Sequence, residues 1–198
     1  PLNASLHAEQ SAVLNAWMHG ERGISSLHVS ETPCGHCRQF LRELSNCEQL
    51  KIFVQGQPRC LPELLPFAFG DVPKNGEGLL DRQLPDFSAK GASEDLWAQV
   101  SRESKLSYAP YSGSLEGFAI ECADARRFFG RAAESIAFNP SVVAALTALN
   151  QHNLSGSRKS PITRAVHVQS GQPGNCSHSL TQALIASVSD TTVQSKSL

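Results

Sequence analysis

An excess of charge of either sign is missing from this chain. Seventeen Lys and Arg stand against 18 Asp and Glu, for a net charge of -1, and no basic cluster stands out. Proteins that track a phosphate backbone carry a basic face. The balance therefore argues against a nucleic-acid partner and for a small, uncharged ligand. Also missing are an apolar run long enough to cross a bilayer and the basic-then-apolar opening of a secretion signal, so no membrane partner is expected. The cysteines are Cys34, Cys37, Cys47, Cys60, Cys122 and Cys176. Their scatter does not match the framework of a small disulfide-stapled secreted domain, and a reducing, cytoplasmic setting is expected.

What is present is an ordinary globular composition, 40% hydrophobic and 18% charged over 198 residues, enough for one large domain or two small ones. Leu6, Val13, Leu14 and Trp17 make a helical stripe ending at Gly20, with Ser5 as a candidate N-cap. A strand is expected over 23–31, a helix over 33–46 with Pro33 in its first turn, and a strand over 50–55. Alternating helices and strands with short joins argue for a mostly parallel sheet covered by helices. Residues 56–93 hold five prolines and few periodic apolar positions, which reads as a connecting segment. A helix near Leu96, Trp97 and Val100 follows, then a hairpin from 117–123 and 125–133, a helix over 142–150, a strand over 163–169 and a helix over 180–188. The polar end, SVSDTTVQSKSL, is expected to fray.

The chemistry concentrates in LHAEQ (6–10) and TPCGHCRQF (32–40). His7, Cys34 and Cys37 make a three-ligand set for zinc, which accepts imidazole nitrogen and thiolate sulfur and keeps its fourth position open in catalytic sites. The two cysteines lie one helical turn apart at a helix N-terminus, where free N–H groups favour thiolates. Glu9 is two residues from His7. In a helix body such residues point roughly 200° apart, but at a helix tip they can converge, leaving Glu9 beside the open position as a proton carrier. Other readings exist for each part. His7 could be a surface histidine, and Cys34 with Cys37 half of a structural zinc knuckle or a redox pair. The whole pattern, His-x-Glu followed by Pro-Cys-x-x-Cys, resembles the signature of zinc deaminases.

LHAEQSAVLNAW and TPCGHCRQFLREL resemble the cytidine deaminase family, in its free-nucleoside branch. YAPYSGSLEGFAIE (108–121) and AESIAFNPS (133–141) resemble the second module of the large homodimeric members. The resemblance implies a three-layer α/β fold, a mixed and mostly parallel sheet flanked by helices, in two tandem modules. Residues 1–73 would be the catalytic module, 74–90 a linker and 91–198 a non-catalytic module. It also implies one Zn2+ held by His7, Cys34 and Cys37, with Glu9 shuttling protons during hydrolytic deamination of cytidine and deoxycytidine. Ala8 would border the substrate, and Phe69 and Ala137 the neighbouring subunit's pocket in a homodimer; core or hinge packing is the competing reading for the last two. Arg38 would support a thiolate, unless it is a plain surface arginine. In the family, a Phe-Asn-Val strand and a ribose-binding Asn-x-Glu pair precede the His-Ala-Glu segment. Only PLNAS precedes Leu6, so the first module is expected to be incomplete at its N-terminus.

The later half repeats the pattern without its metal residues. Gly130-Arg-Ala-Ala-Glu134 is similar to the family's Gly-x-Asn-x-Glu, with Ala132 where Asn would stand. Family spacing then puts the His and Glu positions on Ala145 and Thr147, and VHVQSGQP (166–173) matches LHVSETP (27–33). No Cys-x-x-Cys follows, so packing and dimerisation are its expected roles. Cys47, Cys60, Cys122 and Cys176 are expected to be inert thiols, and His36 to point away from the metal. A nucleotide or blasticidin-type deaminase is the nearest rival enzyme, though a nucleotide substrate would want a basic phosphate clamp. A non-catalytic zinc protein is the rival from outside enzymology, and a structural zinc has no use for Glu9.

Overall fold

Ala8, Glu9 and Gln10 are good helix formers. With Gln10, Val13, Leu14 and Trp17 sharing one buried face, they produce α1 (Ala8–Met18). The N-cap is His7 rather than Ser5. The computed structural model describes residues 5–81, 95–156, 160–170 and 177–198. After α1 come β1 (Ser26–Val29), α2 (Gly35–Leu41), β2 (Lys51–Val54), β3 (Gln57–Cys60) and the single turn α3 (Leu61–Leu64).

α2 stops at Leu41, five residues short of the expected end. Beyond it the chain winds in tighter turns, with Glu43, Leu44 and Cys47 N–H groups each reaching three residues back. The local side chains explain the change. Ser45 donates to Asp81, Asn46 donates to the Ile24 carbonyl, and the Glu43 carbonyl accepts from Leu79. Such side-chain bonds compete with the helix ladder. Leu44, Cys47 and Leu50 are buried nonetheless.

β3 falls inside the stretch expected to be only connecting. A tight turn through Gln55 (φ 50°) and Gly56 (φ 80°) returns the chain antiparallel to β2. Pro58 is tolerated because β3 lies at the edge of the order β1-β2-β3. Residues 82–93 of that stretch lie outside the described residues.

The later elements are α4 (Leu96–Lys105), β4 (Glu116–Cys122), β5 (Arg127–Arg131), α5 (Ala144–Leu154), β6 (Ile162–Gln169), α6 (Ser177–Ala186) and β7 (Val193–Ser197). Their sheet runs β5-β4-β6-β7. Phe118 and Ile120 pack with Ala144, Ala145, Ala148, Leu184 and Ile185, while Ala119 packs with Leu96 and Val100. Alternate residues of β4 thus enter different cores, and helices cover both faces. Gly117 and Gly130 permit this closeness, since a Cβ would collide with α4 at Val100 and Ser104 or with α5 at Ala144 and Ala148.

Both sheets are mixed. β1–β2 and β6–β7 are parallel, whereas β2–β3, β4–β5 and β4–β6 are antiparallel. The antiparallel share exceeds what alternating helices and strands suggested, because β3 folds back and β4 has antiparallel neighbours on both sides. The C-terminal end does not fray. β7 pairs with β6 from Ala165↔Val193 to Gln169↔Ser197. Only Val193 of β7 is buried, so the ladder holds a strand that no apolar alternation announces.

The chain forms two units. Among the described residues, one comprises 6–81 with Glu134–Ser141; the other comprises 95–133 and 142–198, with Ser5. Glu134–Ser141, late in sequence, therefore belongs in space to the earlier unit. No helix among the described residues is long and apolar enough to cross a membrane.

Candidate metal centre

His7 and Cys34 hold equivalent places, each the extended N-cap of a helix. Neither side chain turns back to cap its own helix. They face each other instead, His7 Nδ1 lying 3.3 Å from Cys34 Sγ. Cys37, on the first turn of α2, is fully buried and donates to Glu9 Oε2 at 3.4 Å. The ligand atoms of His7, Cys34 and Cys37 all lie within 4.8 Å of one another, the one such group among the described residues. Around a tetrahedral zinc, donors at roughly 2.0–2.3 Å sit about 3.5–3.8 Å apart. Closing on an ion therefore asks for shifts of no more than about an ångström.

The donor chemistry fits zinc as well as the geometry does. Burial, with the Glu9 carboxylate adding to it, pushes the Cys37 thiol far up. Such a sulfur keeps its proton until a cation arrives, and a coordinating divalent ion removes it. Glu9 is buried, and its carboxylate lies against the Cys37 sulfur. Two helix N-termini converge there, and their unpaired N–H ends favour anionic ligands.

The remaining sequence candidates fall around this centre in different ways. Ala8 is exposed beside His7, and His36 is exposed. Arg38 does not reach a thiolate. It donates to the Pro33 carbonyl at 2.6 Å and the Leu64 carbonyl at 2.7 Å, because its guanidinium runs back along α2 to the turn before Cys34. It braces the approach to the ligand without touching it. Phe69 is 64% exposed, with its backbone held by Gln39, and Ala137 is half-buried. Cys47 and Cys122 are buried thiols pushed up mainly by burial, Cys60 begins α3, and Cys176 lies outside the described residues.

Two residues went unnoticed in the sequence. Gln10 and Gln39 are both buried and both bond distant backbone. Gln10 carried a signal: it shares the helical stripe of Val13, Leu14 and Trp17, and a polar group on an apolar face needs a partner. The partner itself was not readable.

Fold and donor set together define a zinc-binding α/β protein. Two family models described as the cytidine and deoxycytidylate deaminase zinc-binding region match residues 2–53 and 61–182. The chain belongs to this family. It is 41% identical to the cytidine deaminase of Aeromonas hydrophila over 84% of this chain and 57% of that protein. It is 38% identical to the cytidine deaminase of Pectobacterium atrosepticum over 98% of this chain and 66% of that protein. The chain thus spans about 57–66% of the length of these relatives. A solved cytidine deaminase from Mycobacterium tuberculosis is 14% identical, covering 52% of this chain and 85% of its own at a TM-score of 0.42, a likeness too loose to bear on the site.

Proposed function

We propose that this chain is the zinc-bearing part of a cytidine deaminase, which hydrolyses cytidine and deoxycytidine to the uridines with release of ammonia. The observation that carries the reading is the His7–Cys34–Cys37 cluster with Glu9 against it. His7, Cys34 and Cys37 would hold zinc, which supplies an activated water at neutral pH. Glu9 is the only carboxylate assigned a step. It would take a proton from water and pass it to the ring nitrogen N3 as the hydroxide adds to C4, then take the proton of the new C4 hydroxyl and pass it to the amine, which leaves as ammonia.

A nucleoside is favoured over its phosphate because the arginines nearest the cysteines are committed to backbone: Arg38 to Pro33 and Leu64, Arg42 to Gly70. In this reading residues 1–73 carry the catalysis, 74–90 connect, and 91–198 are the module without metal. Phe67, Phe69 and Phe138, 96%, 64% and 82% exposed, are apolar rings suited to a second copy in a homodimer, near whose pocket Phe69 and Ala137 would stand. The five described cysteines are free, which suits a cytoplasmic setting.

The test is Glu9→Gln, assayed on this chain and on a form as long as its relatives. Zinc should remain at one per chain, since Glu9 is not a ligand. Ammonia release from cytidine should fall by roughly 10²–10⁴-fold, as when one general acid–base group is lost. Retention of most of the turnover would defeat the mechanism.

A further inference from the structure

The three donors sit on two helices, so their meeting depends on how α1 lies against α2. An indirect chain of contacts links the two. From α2, Gln39 holds Phe69 at both ends: its Nε2 donates to the Phe69 carbonyl at 2.6 Å, and the Phe69 N–H donates to its Oε1 at 3.2 Å. Arg42, which caps α2, donates to the Gly70 carbonyl at 2.6 Å. Gly70, at φ 74°, lies flat against Ile136, where any Cβ would collide with the isoleucine side chain.

Ile136 belongs to Glu134–Ser141 and donates its own N–H to Glu43 Oε1 at 2.9 Å, just past α2. That segment is internally braced. Ser135 N–H donates to Ser141 Oγ, Phe138 N–H to the Ser135 carbonyl, and Ser141 N–H to the Phe138 carbonyl. Phe138 sits at φ 63°, a conformation that bulky residues keep only where the surroundings over-determine it. The far end of the segment returns to α1. The Pro140 carbonyl accepts from Gln10 Nε2 at 2.9 Å, between buried residues 130 positions apart. Gln10 directly follows Glu9, and the next N–H, of Ser11, closes the first turn on the His7 carbonyl at 2.9 Å.

We propose that Gln10 is a positioning residue. Through the Pro140 carbonyl it makes Glu134–Ser141 a strap that fixes the first turn of α1, and so His7 and Glu9, against the cysteines of α2. The proposal rests on the zinc reading above. It explains why a polar side chain occupies the inward stripe of α1 and why eight residues from late in the chain belong to the earlier unit.

Gln10→Met keeps the length of the side chain and removes its donor. Asn46→Leu is the comparison: it removes a similar bond, from Asn46 Nδ2 to the Ile24 carbonyl at 3.0 Å, in the same unit but off the circuit. Zinc release into excess chelator and amide exchange over residues 8–13 are measured in the full 198-residue chain, well below each variant's unfolding temperature. Gln10→Met should speed both by about tenfold, the weight of one buried hydrogen bond, while Asn46→Leu stays within about twofold of the parent. Equal behaviour of the two variants, or parental values for Gln10→Met, would overturn the proposal. If Gln10→Met does not fold, Ser141→Ala, which loosens the strap from within, is held to the same two readouts. A parent that takes up no zinc would sink the metal reading alone, and amide exchange would then decide this one.

Discussion

Both units run helix, strand, helix, and they use the same order for opposite ends. In the first, the tip of α1 presents His7 and Glu9 away from their own helix, toward sulfurs on α2. In the second, family spacing sets Ala145 and Thr147 against His7 and Glu9; both lie inside α5, past its N-cap Val143, and are fully buried. Ala145 is core beside Phe118 and Leu184. Thr147 donates its hydroxyl to the Arg131 carbonyl at 3.0 Å, so its one polar group is satisfied within the unit. A helix tip stays available for chemistry only if its polar side chains are not satisfied locally. In α5, residues that bond or pack inward make the first turn part of the core instead.

The matched strands tell a similar story. The likeness of LHVSETP to VHVQSGQP sets His28 of β1 against His167 of β6. His28 is exposed and stacks on Phe53 at 4.5 Å. His167 is fully buried and bonds Glu116 of β4 at 3.0 Å. The difference follows from neighbours: among the described residues β1 pairs with β2 alone, whereas β6 lies between β4 and β7.

The contrast is most easily broken at the cysteines. Cys34→Ala or Cys37→Ala should abolish stoichiometric zinc, because three donors are the fewest that hold a catalytic ion. Full zinc content in either variant, by metal analysis, would remove the distinction between the units. The reverse experiment is Ala145→His with Thr147→Glu. Two larger polar groups in a closed core should destabilise the second unit by about 3 kcal/mol or more, and zinc should stay at one per chain; a second equivalent would show that the later unit needs only side chains to bind metal.

Thr147→Val is the gentler probe. Losing one buried hydrogen bond should cost about 1 kcal/mol in denaturant unfolding and leave zinc untouched. The smallest effect should come at the surface, from Asp124→Asn. The Arg126 side chain bonded to Asp124 lowers its carboxyl to about 2. A depressed carboxyl contributes stability above its unfolded value of about 3.9 and loses it as pH falls toward 2. Asp124 is exposed, so solvent screens the pair. The variant should therefore match the parent near neutral pH and lack only a slight acid-limb slope in unfolding midpoint against pH. A large loss at pH 7 would mean that this surface pair matters more than the buried Thr147.

Several elements were legible because they rest on local rules. The stripes of α1 and α4, the hairpin of β4 and β5 and the Pro-Cys turn into α2 follow from periodicity and turn chemistry. The candidate donors were legible too, since side-chain type and spacing restrict which residues can share an ion. β3, β7 and the early end of α2 were not. β3 contains a proline that only an edge position excuses, β7 is polar along nearly its whole length, and α2 is cut short by bonds to Ile24, Leu79 and Asp81, far away in sequence.

Arg38 separates the two kinds of information. Its place next to Cys37 suggested a thiolate partner, but direction along the helix sends it to Pro33 and Leu64. Local pattern carried the alternation of helices and strands and the residue types able to hold zinc, whereas Ala145 and Thr147 offer neither imidazole nor thiolate. Only the tertiary structure decided that Glu134–Ser141 belongs with the earlier unit and that Gln10 meets Pro140. A hydrogen bond between residues 130 positions apart leaves no trace in local spacing, because the backbone carbonyl that accepts it is common to every residue type.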